Sequence, residues 1–213
     1  MKRTILTTLS IALAMIASAQ TPFEIAIKEN LALLDSAKTT EAMQAVTGKF
    51  ERIAMTETAR WEPLYYAAFS QINMSFMETD GDKKDAILDQ AQLSIDKAIA
   101  LNCDKSEVYT LQGLLYQGRI MVSPMRGMSY SMKAAEILEK AIEANPENPR
   151  PYYLLGRNTY GTPKMFGGGS KNALPKFQEA KLKFDNEQVK DGIAPKWGAK
   201  SNQKMIDACT KNS

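Results

Sequence analysis

Histidine is absent from all 213 residues of the sequence. Without it, the protein lacks the side chain that most often serves as a general base and most often binds metal ions. A serine or cysteine nucleophile would also lack its usual activating partner. We therefore predict that the protein is not an enzyme and that it has no catalytic residues, no bound metal and no cofactor.

Long apolar runs are scarce, and the one that exists lies at the N-terminus. Two basic residues precede an apolar stretch at 5–16, and Ala17-Ser18-Ala19 has the small residues of a signal-peptide cleavage site. The run is short for a membrane span, which needs ~20 apolar residues. Residues 1–19 are therefore predicted to be a signal peptide. Residues 20–213 are predicted to form one exported domain, periplasmic or secreted, with no membrane insertion.

Charge of one sign is not concentrated in this chain. The formal net charge is +3, and Lys2 and Arg3 of the predicted signal peptide account for two of these charges. A nucleic-acid-binding protein typically carries a concentrated basic face. The composition therefore argues against a nucleic-acid partner.

Strand patterns are nearly absent, and apolar residues recur with the 3.6-residue period of helices. A large residue followed four positions later by a small one occurs three times: Leu64 with Ala68, Tyr109 with Gly113, and Tyr152 with Gly156. A segment with the spacing Ala-x3-large-x2-Ala follows each time: Ala91, Ile95, Ala98; Ala134, Leu138, Ala141; and Ala173, Phe177, Ala180. Small residues let two helices approach closely and large ones fill the grooves between them. The pattern therefore predicts stacked helix pairs.

This pattern resembles the tetratricopeptide repeat family, most fully in the third pair at Tyr109, Gly113, Tyr116, Ala134, Leu138, Ala141 and Pro146. The resemblance implies an all-α fold, a right-handed solenoid of antiparallel helix pairs. We predict about four pairs, the first degenerate, at 22–55, 63–101, 106–145 and 149–184. A capping helix is predicted at 195–211, with Trp197 packing on the last pair.

The turn inside each pair is longer than the family pattern. Ala68 to Ala91, Gly113 to Ala134 and Gly156 to Ala173 are 23, 21 and 17 residues apart. All three insertions fall on one edge of the predicted stack. Insertions confined to one face of a repeat protein often mark its binding face. The alternative is that the longer loops extend helix ends and pack on each other.

Candidate binding residues come from two places. In the tetratricopeptide family, ligands usually lie against the first helices, and aromatic and Arg side chains suit peptide or anion capture. The first-helix candidates are Tyr65, Phe69, Thr110, Gln117, Arg150, Tyr153, Arg157 and Tyr160. Arg126 and Phe166 are added from the insertions. Several of the tyrosines are alternatively expected to lie buried between helices.

Two features of the insertions allow more than one interpretation. Methionines at 121, 125, 128 and 132 form a helical stripe, which we interpret as flexible packing in preference to a Cu(I) site. Gly167, Gly168 and Gly169 are interpreted as a turn before a helix whose N-cap is Asn172. An anion held by their backbone N–H groups is the alternative.

Cysteine is also scarce, with Cys103 and Cys209 as its two occurrences. Export would permit a disulfide. However, Cys103 falls between the second and third predicted pairs, whereas Cys209 lies in the predicted cap. The sequence leaves open whether they are bridged.

Two functions follow from these observations. The first is an exported, non-catalytic scaffold or binding protein of the tetratricopeptide type that recognises a protein or peptide. The alternative is a periplasmic component that binds a small ligand and resembles the transporter-associated subunits of that family.

Overall fold

The computed structural model describes residues 20–188 and 192–211. Within these ranges the chain forms helices and no β-strand, which confirms the predicted all-α fold. The helices are α1 Pro22–Ser36, α2 Thr40–Thr56, α3 Glu62–Met77, α4 Gly81–Ala100, α5 Lys105–Ile120, α6 Gly127–Ala144, α7 Pro149–Gly161, α8 Ser170–Asn186 and α9 Ala199–Lys211. Short 3₁₀ turns, Pro124–Arg126 and Lys164–Phe166, precede α6 and α8. The predicted signal peptide at 1–19 lies outside the described residues.

Local sequence explains where most helices begin. Thr21 and Glu24 form a capping box at α1, in which each side chain accepts a hydrogen bond from the backbone N–H of the other residue. Asp80, Asp104 and Asn148 accept backbone N–H bonds at the starts of α4, α5 and α7. Each such cap typically stabilises a helix by about 1 kcal/mol. The helix boundaries thus follow largely from short-range chemistry.

Helices pack in chain order, each against the next, from α1 to α9. The first helices of successive pairs, α3, α5 and α7, also contact one another and form a surface that we call the first-helix face. A Cβ added to Gly113 would lie 2.6 Å from the side chain of Leu138, and one added to Gly156 would lie 2.5 Å from that of Phe177. The predicted close approach within these pairs is confirmed. The right-handed solenoid stays a prediction from the resemblance.

Residues 192–198, which we call the strap, lie against α3 before α9 begins. The hydroxyl of Tyr66 donates to the carbonyl oxygen of Ile193 at 2.6 Å. The ring of Trp197 stacks on Phe69 with centroids 4.9 Å apart. The prediction that Trp197 packs on the last pair therefore needs correction, because the aromatic surface of α3 receives the indole. Helix α9 then packs on α8, as a cap would.

The three consecutive glycines form a closed turn. Their N–H groups donate to carbonyl oxygens of the same loop region: Gly167 to Lys164, Gly168 to Pro163, and Gly169 to Thr159. These bonds leave none of the three N–H groups for an anion. Gly169, at φ 91°, is the N-cap of α8, and the helix itself begins at Ser170. The prediction of Asn172 as N-cap was therefore wrong: its side chain instead donates to the carbonyl oxygens of Gly167 and Gly168.

We expect Gly168→Ala to destabilise the protein more than Gly167→Ala. A Cβ on Gly168 would overlap the carbonyl oxygen of Thr162, so the loop would have to move. A Cβ on Gly167 meets nothing within 4 Å, so its cost is that of the left-handed φ of 82°, about 1–2 kcal/mol. Urea denaturation of the mature domain compares the two variants. Equal free energies of unfolding would contradict this loop geometry.

The sequence left open whether the two cysteines are bridged, and it predicted no membrane insertion. Cys103 and Cys209 are both buried, and no disulfide joins them. Across the described residues, no helix is long and apolar enough to cross a membrane.

Candidate functional site

The enlarged edge predicted from the insertions carries a dense set of exposed apolar side chains. We call this set the methionine edge. It consists of Met121, Met125, Met128, Met132, Met165 and Phe166. Met125 is 94% exposed and Met165 is 83% exposed. The methionine stripe is thus not core packing, and the interpretation of these residues as packing side chains needs correction.

The loop between α5 and α6 is fixed to the start of α4 by a carboxylate. Both oxygens of Asp85 accept hydrogen bonds from Nη1 of Arg126, at 2.8 and 2.6 Å, and Arg119 also donates to Asp85. Burial alone would raise the pKa of Asp85, but the bonds from the two arginines outweigh it and hold the pKa below its ordinary value. Asp85 is therefore charged at neutral pH. Arg126, a predicted partner-binding residue, serves as an anchor for the loop that carries Met121 and Met125.

The second part of the edge is joined to the first through α7. The amide of Asn158 donates to the carbonyl oxygen of Ser131 at 3.0 Å, and the hydroxyl of Ser131 donates to Oδ1 of Asn158 at 3.1 Å. Thr162 donates to the carbonyl oxygen of Asn158 at 2.8 Å. These bonds attach the C-terminal half of α7 to α6, so the loop with Met165 and Phe166 follows directly from a helix that is fixed to the one with Met128 and Met132.

The two stretches of chain that form the methionine edge carry positive charge only, whereas α4 brings the carboxylate of Asp85 to the same edge, paired with Arg119 and Arg126. Neither 108–135 nor 148–178 contains an Asp or a Glu, and these two stretches supply every member of the edge. Lys133, Lys164 and Lys171 are exposed within them. An exposed thioether and aromatic surface with a cationic rim suits a flat apolar molecule that carries carboxylates, because the faces and the acidic groups each find partners.

Five of the predicted first-helix residues lie inside the protein. Tyr65, Thr110, Gln117, Arg150 and Tyr153 are all buried. Thr110 donates to the carbonyl oxygen of Ser106 at 2.6 Å, and Gln117 donates to that of Leu154 at 2.7 Å. The sequence placed these side chains on the open first-helix face, and the structure corrects this because they are buried, with Thr110 bonded within α5 and Gln117 bonded to α7.

Tyr65 and Arg150 share one buried carboxylate. The hydroxyl of Tyr65 donates to Glu107 at 2.9 Å, and Nη2 of Arg150 donates to Glu107 at 2.8 Å. Asn148 donates to the same carboxylate at 2.9 Å. Burial and then the charge of Glu107 raise the pKa of Tyr65 well above its ordinary value. The cluster therefore ties α3, α5 and α7 together.

The strap covers part of the first-helix face. The indole N–H of Trp197 donates to the hydroxyl of Tyr65 at 2.8 Å, and its ring covers Phe69. Arg157 lies beyond it, with its guanidinium 5.4 Å from the ring centroid of Phe76 and 5.9 Å from that of Tyr153. Tyr153 is buried, and Tyr160 is partly buried. Among the predicted residues, the structure thus gathers Phe69, Tyr153 and Arg157 on this face and places Arg126 and Phe166 at the methionine edge.

No protein-family model matches the sequence, and no curated protein does. A solved structure, the HusA haemophore from Porphyromonas gingivalis, matches it with 30% sequence identity and a TM-score of 0.81. The match covers 91% of this chain and 95% of that chain. The chain belongs to the HusA haemophore family.

The helix pairs are therefore found in a member of the HusA haemophore family. No comparison supports membership of the tetratricopeptide family. The HusA protein is named as a haemophore, which is a binding protein and not an enzyme. The lysines around the methionine edge were missed among the predicted site residues. The signal that could have found them is the absence of carboxylates from the two stretches that form this edge.

Proposed function

We propose that this member of the HusA haemophore family is an exported, non-catalytic protein that binds haem at the methionine edge. The observation that carries the proposal is the likeness to a haemophore over nearly the whole of both chains. It favours the small-ligand alternative over the protein or peptide partner. The place of binding is inferred from the chemistry of this chain.

Haem is a flat tetrapyrrole with apolar faces, a central iron and two propionate groups. The methionine edge offers polarisable side chains to the faces, and sulfur packs favourably against conjugated rings. Lys133, Lys164 and Lys171 can pair with the propionates, because 108–135 and 148–178 contain no carboxylate and Asp85 of α4 is already paired with Arg119 and Arg126.

The side chains that could bind the haem iron at the methionine edge are unusual. With no histidine in the sequence, the common imidazole ligand is absent. Methionine thioether is an established haem ligand, and four exposed thioethers stand on the α5–α6 side of the edge. The residues present therefore fit haem as a cargo that is held by its faces and propionates, with thioether as one iron ligand that the edge offers.

A haemin titration of residues 20–213 tests the proposal. We expect the main absorption band of haemin to change and to saturate at one haemin per protein. A spectrum that stays that of free haemin in the presence of excess protein would refute haem binding. Titration of the protein after thermal unfolding serves as the control for non-specific adsorption.

Reversing charge at the rim should weaken haem binding. We expect the double variant Lys164→Glu and Lys171→Glu to raise the Kd about tenfold, because each exposed ion pair contributes up to about 1 kcal/mol. The matched control reverses Lys200 and Lys204, which are exposed on α9. Equal haemin affinities for the two double variants would place the propionates elsewhere.

Peptide capture on the first-helix face is the other function predicted from sequence. Phe69 is covered by Trp197, and Tyr65 and Arg150 bond to Glu107. A peptide would have to displace the strap to reach them. We therefore favour haem binding over peptide capture as the function of the protein.

A further inference from the structure

Arg157 on α7 differs from the other arginines that are wholly or partly buried in the described part of the chain. Each of those is paired with a carboxylate, as Arg126 is with Asp85 and Arg150 with Glu107. Arg157 is also partly buried, yet among the described residues it forms no ion pair and no hydrogen bond. A charge held partly out of water without a partner is destabilising. Arg157 is therefore suited to an anion that comes from a ligand.

The guanidinium of Arg157 is held in place and is open to such a ligand. It lies 5.4 Å from the ring centroid of Phe76 on α3 and 5.9 Å from that of Tyr153 on α7, so two aromatic rings position it. None of its nitrogens is among the buried polar atoms that lack a partner, so each keeps accessible surface. A planar guanidinium in this position can donate two parallel hydrogen bonds to a carboxylate.

The segments of the first-helix face around Arg157 are free of carboxylates. The stretches 63–77 of α3, 108–120 of α5 and 148–161 of α7 contain no Asp and no Glu. Glu78, which follows α3, accepts hydrogen bonds from two backbone N–H groups of its own turn. The charge of these surroundings therefore favours an anionic ligand.

An aromatic surface leads from the strap to this guanidinium. The ring of Trp197 stacks on that of Phe69, and both side chains are only partly buried. A Cβ added to the next residue, Gly198, would lie 3.6 Å from the ring of Tyr153, which contacts Arg157. Aromatic rings pack favourably against other aromatic rings. The part of the ligand that adjoins the anion is therefore expected to be flat and apolar.

We propose that Arg157, with the rings of Phe76 and Tyr153, binds the carboxylate of an aromatic acid. We call this the Arg157 site. The carboxylate supplies the partner that the guanidinium lacks, and the aromatic body packs on the neighbouring rings. The acid is either a separate small molecule or a propionate of a bound tetrapyrrole, and the second source alone rests on the proposed haem function.

Indole-3-propionate tests the site without any haem, because it carries one propionate on a flat aromatic ring. The titration uses residues 20–213 labelled with nitrogen-15, and NMR follows the Nε–H signal of Arg157. We expect this signal to shift with a Kd of about 1 mM, and indole-3-propionamide, the neutral analogue, to bind about tenfold more weakly. Equal binding of the acid and the amide by the unaltered protein, or an Arg157 signal that does not shift, would overturn the proposal.

Two variants locate the acid. Arg157→Gln removes the charge and Phe76→Leu removes one ring, and each is expected to weaken binding of indole-3-propionate about tenfold, the effect of roughly 1.4 kcal/mol. Arg52→Gln, at an exposed position on α2, is the matched control for Arg157→Gln and should bind the acid as the parent does. Urea denaturation checks that each variant is folded. Unchanged affinity in folded Arg157→Gln would refute the site.

Competition with zinc protoporphyrin distinguishes the two sources of the carboxylate. Displacement of indole-3-propionate from Arg157 by one equivalent of the porphyrin assigns the site to a propionate of the tetrapyrrole. Simultaneous binding of both assigns it to a separate aromatic acid. If the porphyrin does not bind at all, the proposed haem function fails, whereas the Arg157 site is still decided by the acid, the amide and the variants.

Discussion

Arg150→Met is expected to lower the free energy of unfolding by about 3–5 kcal/mol, the cost of removing one partner from a buried ion pair. Methionine supplies an unbranched, apolar side chain of moderate size, but it leaves Glu107 buried without its cation. Burial disfavours the charged guanidinium, but the charge of Glu107 outweighs it and raises the pKa of Arg150. Glu187 would also lose its partner at 2.7 Å. Urea denaturation of the mature domain measures the effect.

Two controls distinguish the stability lost with the buried ion pair from the stability lost when any positive charge is removed. Lys181→Met removes a cation whose pair with Asp185 is exposed, so we expect a loss below about 1 kcal/mol. Adding Glu107→Gln to Arg150→Met should recover part of the lost stability, because the uncompensated charge is then removed. A loss for Arg150→Met no larger than that for Lys181→Met would show that the cluster does not hold α5 and α7 together.

Much of the fold could be predicted because it rests on short-range patterns. The spacing of Gly113 and Leu138, and of Gly156 and Phe177, reports the close approach of paired helices. Capping residues such as Asp104 mark helix starts. The strap could not be predicted in this way, because the bond from Trp197 to Tyr65 joins residues 132 positions apart and has no periodicity.

The candidate site was predicted less well, because the same residue types serve two purposes. Tyr65 and Arg150 have the chemistry of ligand binding, but here that chemistry is satisfied by Glu107 inside the protein. The loop lengths predicted that Phe166 and Arg126 lie on the enlarged edge, and their part in binding stays a prediction. The exposure of Met125 could not be read from its helical spacing, because a stripe of methionines is equally consistent with core packing.

Replacing the methionines of the edge should produce the largest change in haem affinity. The variant carries Met→Gln at positions 125, 128, 132 and 165, which are all exposed in the free protein. Covering these side chains with haem would contribute roughly 3 kcal/mol in total, so we expect the Kd for haemin to rise at least about 100-fold. Absorbance titration measures the change.

The stability of this variant should stay close to that of the parent protein, since exposed substitutions usually shift it by less than about 0.5 kcal/mol each. A control with Met55→Gln on α2 and Leu93→Gln on α4 removes exposed apolar side chains elsewhere. We expect it to bind haemin as the parent does. If the control loses as much affinity as the edge variant, haem is bound through general surface hydrophobicity and not through the edge.

The location of haem can be measured directly with methionine methyl groups labelled with carbon-13. Zinc protoporphyrin, a diamagnetic haem analogue, shifts the NMR signals of methyl groups that lie over its ring. We predict large shifts for Met125, Met128, Met132 and Met165 at one porphyrin per protein, and unchanged signals for the distant Met55. Shifts at Met55 with unchanged signals from the four edge methionines would contradict haem binding at the methionine edge.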